Sequence, residues 1–297
     1  MGGFSRMNPM ESVLVLVRCP EDLEGPLETA AWLVRATGAR LELLVDRGLH
    51  GGTESLEKRL KELGVPRFAM QIQVCDRSSE ECLARHPHAG AGMRIMVTGS
   101  LECGSDSGAV LDPATVALIE STLEPVLLIP FGRKVVLPWP QIVAPMSGEV
   151  RINPALARAI ELGNQLRLPV DIVHVIDSSP SAEQQAAGMG RFGDDPQHQL
   201  PKMVEEFVSR ACPYCTPGER HVIREFRLSQ GDPTTELLRA LSGFPVGLVA
   251  VEWKGSFMRG HAETLKALLS ELGAPVLLVR QSGEDEAALR AGHRLAG

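Results

Sequence analysis

Apolar residues along the chain gather in short runs, separated by stretches with a helical rhythm. Ser12 to Val17, "SVLVLV", has strand length, and Pro26 opens a pattern that puts Leu27, Ala30, Ala31 and Val34 on one helical face before Gly38 ends it. "ARLELLVD" is then a second strand. The second half begins alike: "QIVAPM" (Gln141 to Met146) is a strand, "NPALARAIELGNQLR" a helix with Pro154 near its first position, and "PVDIVHVID" the next strand. An amphipathic helix over Glu54 to Leu63 leads to the strand "FAMQIQV", as "PKMVEEFVSRA" leads to "HVIREFRL". Each half closes with a short helix ("SEECLARH", "TTELLRALSG"), a strand ("MRIMVTG", "VGLVAVE"), a last helix and the near-identical strands "EPVLLIP" and "APVLLVR".

The repeat is not in constant register. Val13 matches Ile142 whereas Pro125 matches Pro275, so the second half carries about 21 extra residues, which fall in the loop-like "SSPSAEQQAAGMGRFGDDPQHQ". "FGRKVVLPWP", rich in proline, reads as the hinge between the halves. Strands that alternate with helices imply parallel pairing through right-handed crossovers. The expected architecture is therefore α/β: two tandem, doubly wound, five-stranded parallel-sheet domains, about 10–131 and 138–282, with a tail over 283–297. In such sheets ligands bind beyond the carboxyl ends of the strands, where the strand order reverses. That places a site after the first and fourth strands of each half.

Composition narrows the function classes. A hydrophobic share of 44%, a charged share of 23% and only 4% aromatics describe a globular chain with an aliphatic core. The net charge of −7, with no concentrated basic face, argues against a nucleic-acid partner. No apolar run approaches the roughly 20 residues of a membrane helix, and the first ten residues lack the apolar centre of a signal peptide, so the expectation is a cytoplasmic protein without a membrane partner. Six irregularly spaced cysteines suggest mostly reduced thiols.

Three stretches, "GARLELLVD", "VAPMSGEVRINPALARAIELGNQLRLPVDIVHVID" and the paired endings "PVLLIP" and "PVLLVR", resemble the universal stress protein family in a tandem two-domain form, over nearly the whole chain. The resemblance implies a Rossmann-like sheet and a role in stress tolerance, with ATP bound in one subgroup. That subgroup's phosphate loop after strand four runs G-x-x-G, nine residues, then G-[S/T], and its backbone N–H groups and helix start favour an anion. In half one the second glycine falls on Glu102 and the closing pair on Asp112-Pro113, which bring like charge and remove a donor. In half two Glu252 takes the first glycine's place, and Gly255 survives beside Ser256 and Gly260, with Lys254, Arg259 and His261 nearby. The aspartate that reads adenine in the family is missing from both halves, where strand one ends in "VRCP" or "PMSGE"; Ser147 and Gly148 keep a flexible turn there. Gly231 and Asp232, in "GDPTTELL", lie in a segment near the family's nucleotide, although Asp232, Pro233 and Glu236 also read as an ordinary helix start.

The candidate nucleotide-binding residues are thus Ser147, Gly148, Gly231, Asp232, Gly255, Ser256 and Gly260. The expected function is a non-enzymatic stress-response or interaction module with no cofactor. ATP binding by the second-half loop is the alternative. The resemblance also implies an internal pseudo-dimer through "PVLLIP" and "PVLLVR", with a homodimer or another protein as further partner. A third reading rests on Cys212-Pro213-Tyr214-Cys215, the tetrapeptide of glutaredoxins. In those enzymes it opens a helix, whereas here it follows one, where the dipole disfavours a thiolate. A small reversible disulfide that clips the turn is the simpler expectation. Cys82, His86 and His88 have spacings that metals tolerate, and Cys212, Cys215 and His221 make a second possible cluster, but neither is a full ligand set, so no metal is predicted. His174, between apolar neighbours on a strand, reads as a packed or edge residue.

Overall fold

The computed structural model describes residues 9–18, 24–46, 52–76, 79–84, 92–100, 111, 113–130, 135–147, 152–177, 196–213, 215–243, 246–254 and 263–281. The first half supplies strands β1 (Met10–Val17), β2 (Arg40–Asp46), β3 (Met70–Cys75), β4 (Met93–Ser100) and β5 (Val126–Pro130). Its helices are α1 (Gly25–Thr37), α2 (Gly52–Glu62), α3 (Ser79–Ala84) and α4 (Pro113–Ser121). The second half supplies β6 (Ile142–Ser147), β7 (Val170–Asp177), β8 (Ile223–Gly231), β9 (Leu248–Trp253) and β10 (Val276–Arg280), with α5 (Pro154–Leu166), α6 (Pro196–Ala211), α7 (Pro233–Ser242) and α8 (Glu263–Glu271).

All ten strands form one sheet in the order β3-β2-β1-β4-β5-β10-β9-β6-β7-β8. Pairing within each half is parallel. The halves meet through β5 and β10, which pair antiparallel with Val276 opposite Leu128 and Leu278 opposite Val126. Val13 to Val17 of β1 are fully buried, as a central strand covered on both faces requires, so its run is continuously apolar rather than alternating. Local signals set the helix starts. The Asn153 side chain caps α5 by accepting from the Leu156 N–H at 2.9 Å, with Pro154 at the first position.

On one face of the sheet, Leu33 of α1, Leu60 of α2, Ile160 of α5 and Phe207 of α6 pack onto Val15, Leu43, Ile142 and Ile172 in a single cluster that spans both halves. The hinge is part of it. Buried Trp139 meets the Trp32 ring edge-on at 4.7 Å, and Gly247 accommodates the hinge backbone: a Cβ there would stand 2.6 Å from Trp139 Cβ and 2.7 Å from the Gln141 carbonyl oxygen. On the other face α4 and α8 share a cluster with Leu14, Leu16, Met96 and Trp253, while α7 packs with Leu268 onto Val143, Val173 and Val175.

The structure corrects several boundaries: Phe68–Ala69 and His221–Val222, expected in strands, lie in 3-10 turns (Arg67–Ala69 and Arg220–Val222), so the strands start at Met70 and Ile223. α6 begins at Pro196, inside the segment expected to be loop up to residue 199. Pro196 presets the backbone for a first helical position, and the internal Pro201 removes only one backbone donor from the ladder.

Candidate functional site

In each half the strand order reverses between the first and fourth strands, at β1/β4 and at β6/β9. In half one these strands stay paired as far as Val15 and Val97. Arg18 follows β1 and donates from Nη2 to the hydroxyl of fully buried Thr98 on β4, at 3.3 Å. The end of strand one therefore presents a cation that reaches across the switch point. In half two β6 and β9 are in register for only two pairs, Ile142 with Leu248 and Val143 with Val249. Beyond them the strands part, and Ser147 ends β6 beside the gap.

The end of β9 serves the contact between halves. Trp253 is buried in the cluster that holds Leu118 and Ile119 of α4. The Arg280 guanidinium lies 5.9 Å from the centre of its ring and donates from Nη1 to the carbonyls of Glu120 (2.8 Å) and Thr122 (3.2 Å), at the C-terminal end of α4. A cation there complements the negative end of a helix belonging to the other half.

Gly231 and Asp232 stand at the end of β8, two strands from β6. The helices bring this segment closer: Thr234 and Thr264 share a hydrogen bond of 2.9 Å between hydroxyls, so the starts of α7 and α8 adjoin. Asp232 is the N-cap of α7, accepting from the Thr235 N–H (2.9 Å) and hydroxyl (2.7 Å), and the backbone bond first of all holds its carboxyl below the ordinary carboxylate range. Glu236 accepts from Ser229 and Arg239, in that order of influence, and is also held low. Two carboxylates thus stand at the start of α7. Gly231 has φ +151°, and a Cβ would meet Glu236 Cγ at 2.9 Å, so glycine lets the end of β8 pass over that side chain.

Of the sequence-based candidates, Ser147, Gly231 and Asp232 fall in described backbone, whereas Gly148, Gly255, Ser256 and Gly260 lie outside the described residues. Glu102, Asp112, Arg259 and His261 lie outside them as well.

Cys212 and Cys215 are joined as a disulfide with Cα atoms 5.5 Å apart, both buried in the larger core cluster. Cys212 donates its backbone N–H to Val208 at the C-terminal end of α6, and Arg220 donates to the Cys212 carbonyl (3.4 Å) and to the Ser209 hydroxyl (2.8 Å). The pair precedes β8, so it stands at the amino ends of the strands, one β8 length, about 30 Å, from the crevice end of the sheet. His86 and His88 lie outside the described residues, and among the described residues no group of three His, Cys, Asp or Glu can hold a metal. His174 is buried and packs its ring 4.9 Å from Phe207, a packed residue on the interior strand β7.

Sequence reasoning missed the Arg18–Thr98 contact, the Arg280 clamp and a second cysteine pair. Cys75 ends β3, Cys82 lies on α3, and both are buried. Burial first, then a hydrogen bond with Cys82, pushes the Cys75 thiol up to about 12. Neighbouring apolar spacing in the two segments was the only available signal, and it does not distinguish thiols from core residues.

Among solved structures, a protein of Pseudomonas aeruginosa UCBPP-PA14 assigned as a universal stress protein is 16% identical, covers 91% of this chain and 93% of its own, and superposes with a TM-score of 0.61. A universal stress protein from Archaeoglobus fulgidus is 13% identical, with 91% and 98% covered and a TM-score of 0.57. The fold is that of the universal stress proteins. The cytoplasmic domain of a prokaryotic cation chloride cotransporter is similar too, at 13% identity, 91% and 95% coverage and a TM-score of 0.53, so the universal stress protein fold serves more than one kind of protein. No family model and no curated protein matches the chain.

Proposed function

We propose that this chain is a non-enzymatic stress-response or interaction module of the universal stress protein type, two such folds in one cytoplasmic chain, that lacks the ATP-binding signature and needs no cofactor. The observation that supports this reading is that side chains at the strand ends of both halves are engaged in contacts within the protein. Arg18 is committed to Thr98 in half one, and in half two Trp253 is buried against α4 beneath Arg280. Asp232 and Glu236 add negative charge at the start of α7, which disfavours a phosphate there. Among the described residues no helix is long and apolar enough to cross a membrane. Calorimetric titration of the full chain with Mg-ATP tests it: no heat of binding is expected at micromolar nucleotide, and a saturable micromolar isotherm overturns it.

A nucleotide-binding role for half two is the second reading, favoured by the adjoining starts of α7 and α8 at Thr234 and Thr264, beside the segment that holds Gly255, Ser256 and Gly260. On that reading Gly255→Asp abolishes the isotherm. Redox catalysis by Cys212 and Cys215 has less support, because both sulfurs are buried at a helix C-terminus. A glutathione-linked disulfide-reduction assay should give no turnover.

A further inference from the structure

The chain joins its halves by pairing two edge strands antiparallel, and this leaves β3 and β8 as the edges of the combined sheet. The two edges differ in kind. β8 ("IREFRLSQG") carries Arg224, Glu225 and Arg227, with Arg224 paired to Asp171 of β7 and Arg227 to Glu225. Charges on an edge strand discourage pairing with another chain. β3 ("MQIQVC") has no charged side chain, no proline and no glycine. Val74 on it is 45% exposed, and Phe68, just before it, is 91% exposed. Met70 and Ile72 pack only partly against the core cluster, and Val74 follows them on the same face by the strand's two-residue period.

We propose that β3 is a homodimer interface, pairing antiparallel with β3 of a second copy to extend the sheet across a two-fold axis. A strand that alternates short apolar and neutral polar residues is complementary to itself, which an isologous contact demands. One register uses every apolar side chain: with Ile72 opposite Ile72 of the second copy, Met70 faces Val74 on one side of the sheet and Gln71 faces Gln73 on the other. Shifting by two residues toward the C-terminus brings Asp76 into the ladder opposite Met70, and an odd shift sets apolar positions against glutamines. Directly opposed residues of an antiparallel pair lie close enough for their side chains to decide the pairing.

The register makes the test specific, because Gln71 and Gln73 are exposed and can be changed without touching the core. Light scattering behind gel filtration, run on the full chain from micromolar to sub-millimolar protein, should give the dimer mass. Gln71→Lys with Gln73→Lys sets lysine opposite lysine twice and should raise the dimer dissociation constant by more than about tenfold. Gln71→Lys with Gln73→Glu sets opposite charges across the same pairs and should restore the dimer. Leu228→Lys on β8 should leave it unchanged. A wild-type monomer at sub-millimolar protein, a dimer that survives the double lysine change, or one that Leu228→Lys breaks, each overturns the proposal; so does failure of the lysine–glutamate variant to dimerise while its circular dichroism matches the wild type.

Discussion

Replacing Arg280 by methionine tests how firmly the two halves are joined. Methionine keeps most of the aliphatic stem but removes the guanidinium that donates to the Glu120 and Thr122 carbonyls and faces the Trp253 ring. A hydrogen bond to a charged group contributes about 1.5–3 kcal/mol. Here the 3.2 Å contact is the weaker of the two, and a ring 5.9 Å away adds about 0.5 kcal/mol at most. Arg280 is partly exposed, so solvent screening keeps the total near the lower end of these figures, and the expected loss is about 2 kcal/mol. In urea unfolding followed by tryptophan fluorescence, this appears as a lower midpoint with the slope unchanged if the halves still unfold together, and as two transitions if the clamp governs their coupling. Arg280→Lys, which keeps a cation near the end of α4 but loses the fork, should fall between. A midpoint for Arg280→Met that corresponds to less than about 0.5 kcal/mol, the range of ordinary surface changes, would show that Arg280 does not fasten the two halves.

Gly247→Ala should cost about 1–3 kcal/mol, because the new methyl meets the backbone of the hinge, and differential scanning calorimetry should show the lower melting temperature. Gly231→Ala places a side chain at positive φ against Glu236, and a loss of about 1–2 kcal/mol should register in the same scan. Reducing the Cys212–Cys215 disulfide, or changing both to serine, removes a cross-link that closes a very short loop, for which chain entropy gives about 2 kcal/mol. Cys75 should resist iodoacetamide at pH 8 in the native protein and react after unfolding. Its folded pKa of about 12 lies above its ordinary value, so its contribution to stability is full below about pH 9 and is lost as pH rises from there through 12, measurable as a falling urea midpoint.

The sheet was legible because its signals are local. The buried run of β1, the proline-opened helices and the duplicated "PVLL" endings each specify an element without reference to the rest of the chain. Asp232 was legible for the same reason, since an N-cap bonds three residues ahead and "DPTTE" contains all its parts. Arg18–Thr98 and Arg280–Glu120 join residues 80 and 160 positions apart, and nothing near Arg18 or Arg280 marks the partner. The cysteine motif shows the converse. Its four residues match a redox tetrapeptide, yet the parallel topology sets a helix-to-strand connection at the amino ends of the strands, away from the end where this architecture binds ligands.

The seam between the halves reaches the carboxyl ends of the half-two strands, where Arg280 at the end of β10 bonds the end of α4. β5 and β10 cover each other's edge by pairing antiparallel. Trp253 illustrates the consequence. It sits one residue beyond the position where the ATP-binding subgroup's resemblance places the first loop glycine, and it is buried against α4 of the other half. A bulky aromatic there strengthens the seam by burying a large apolar surface, while a glycine would leave a hole at the contact. Trp253 thus belongs to the seam, while its neighbour Glu252 stands where the resemblance places that glycine.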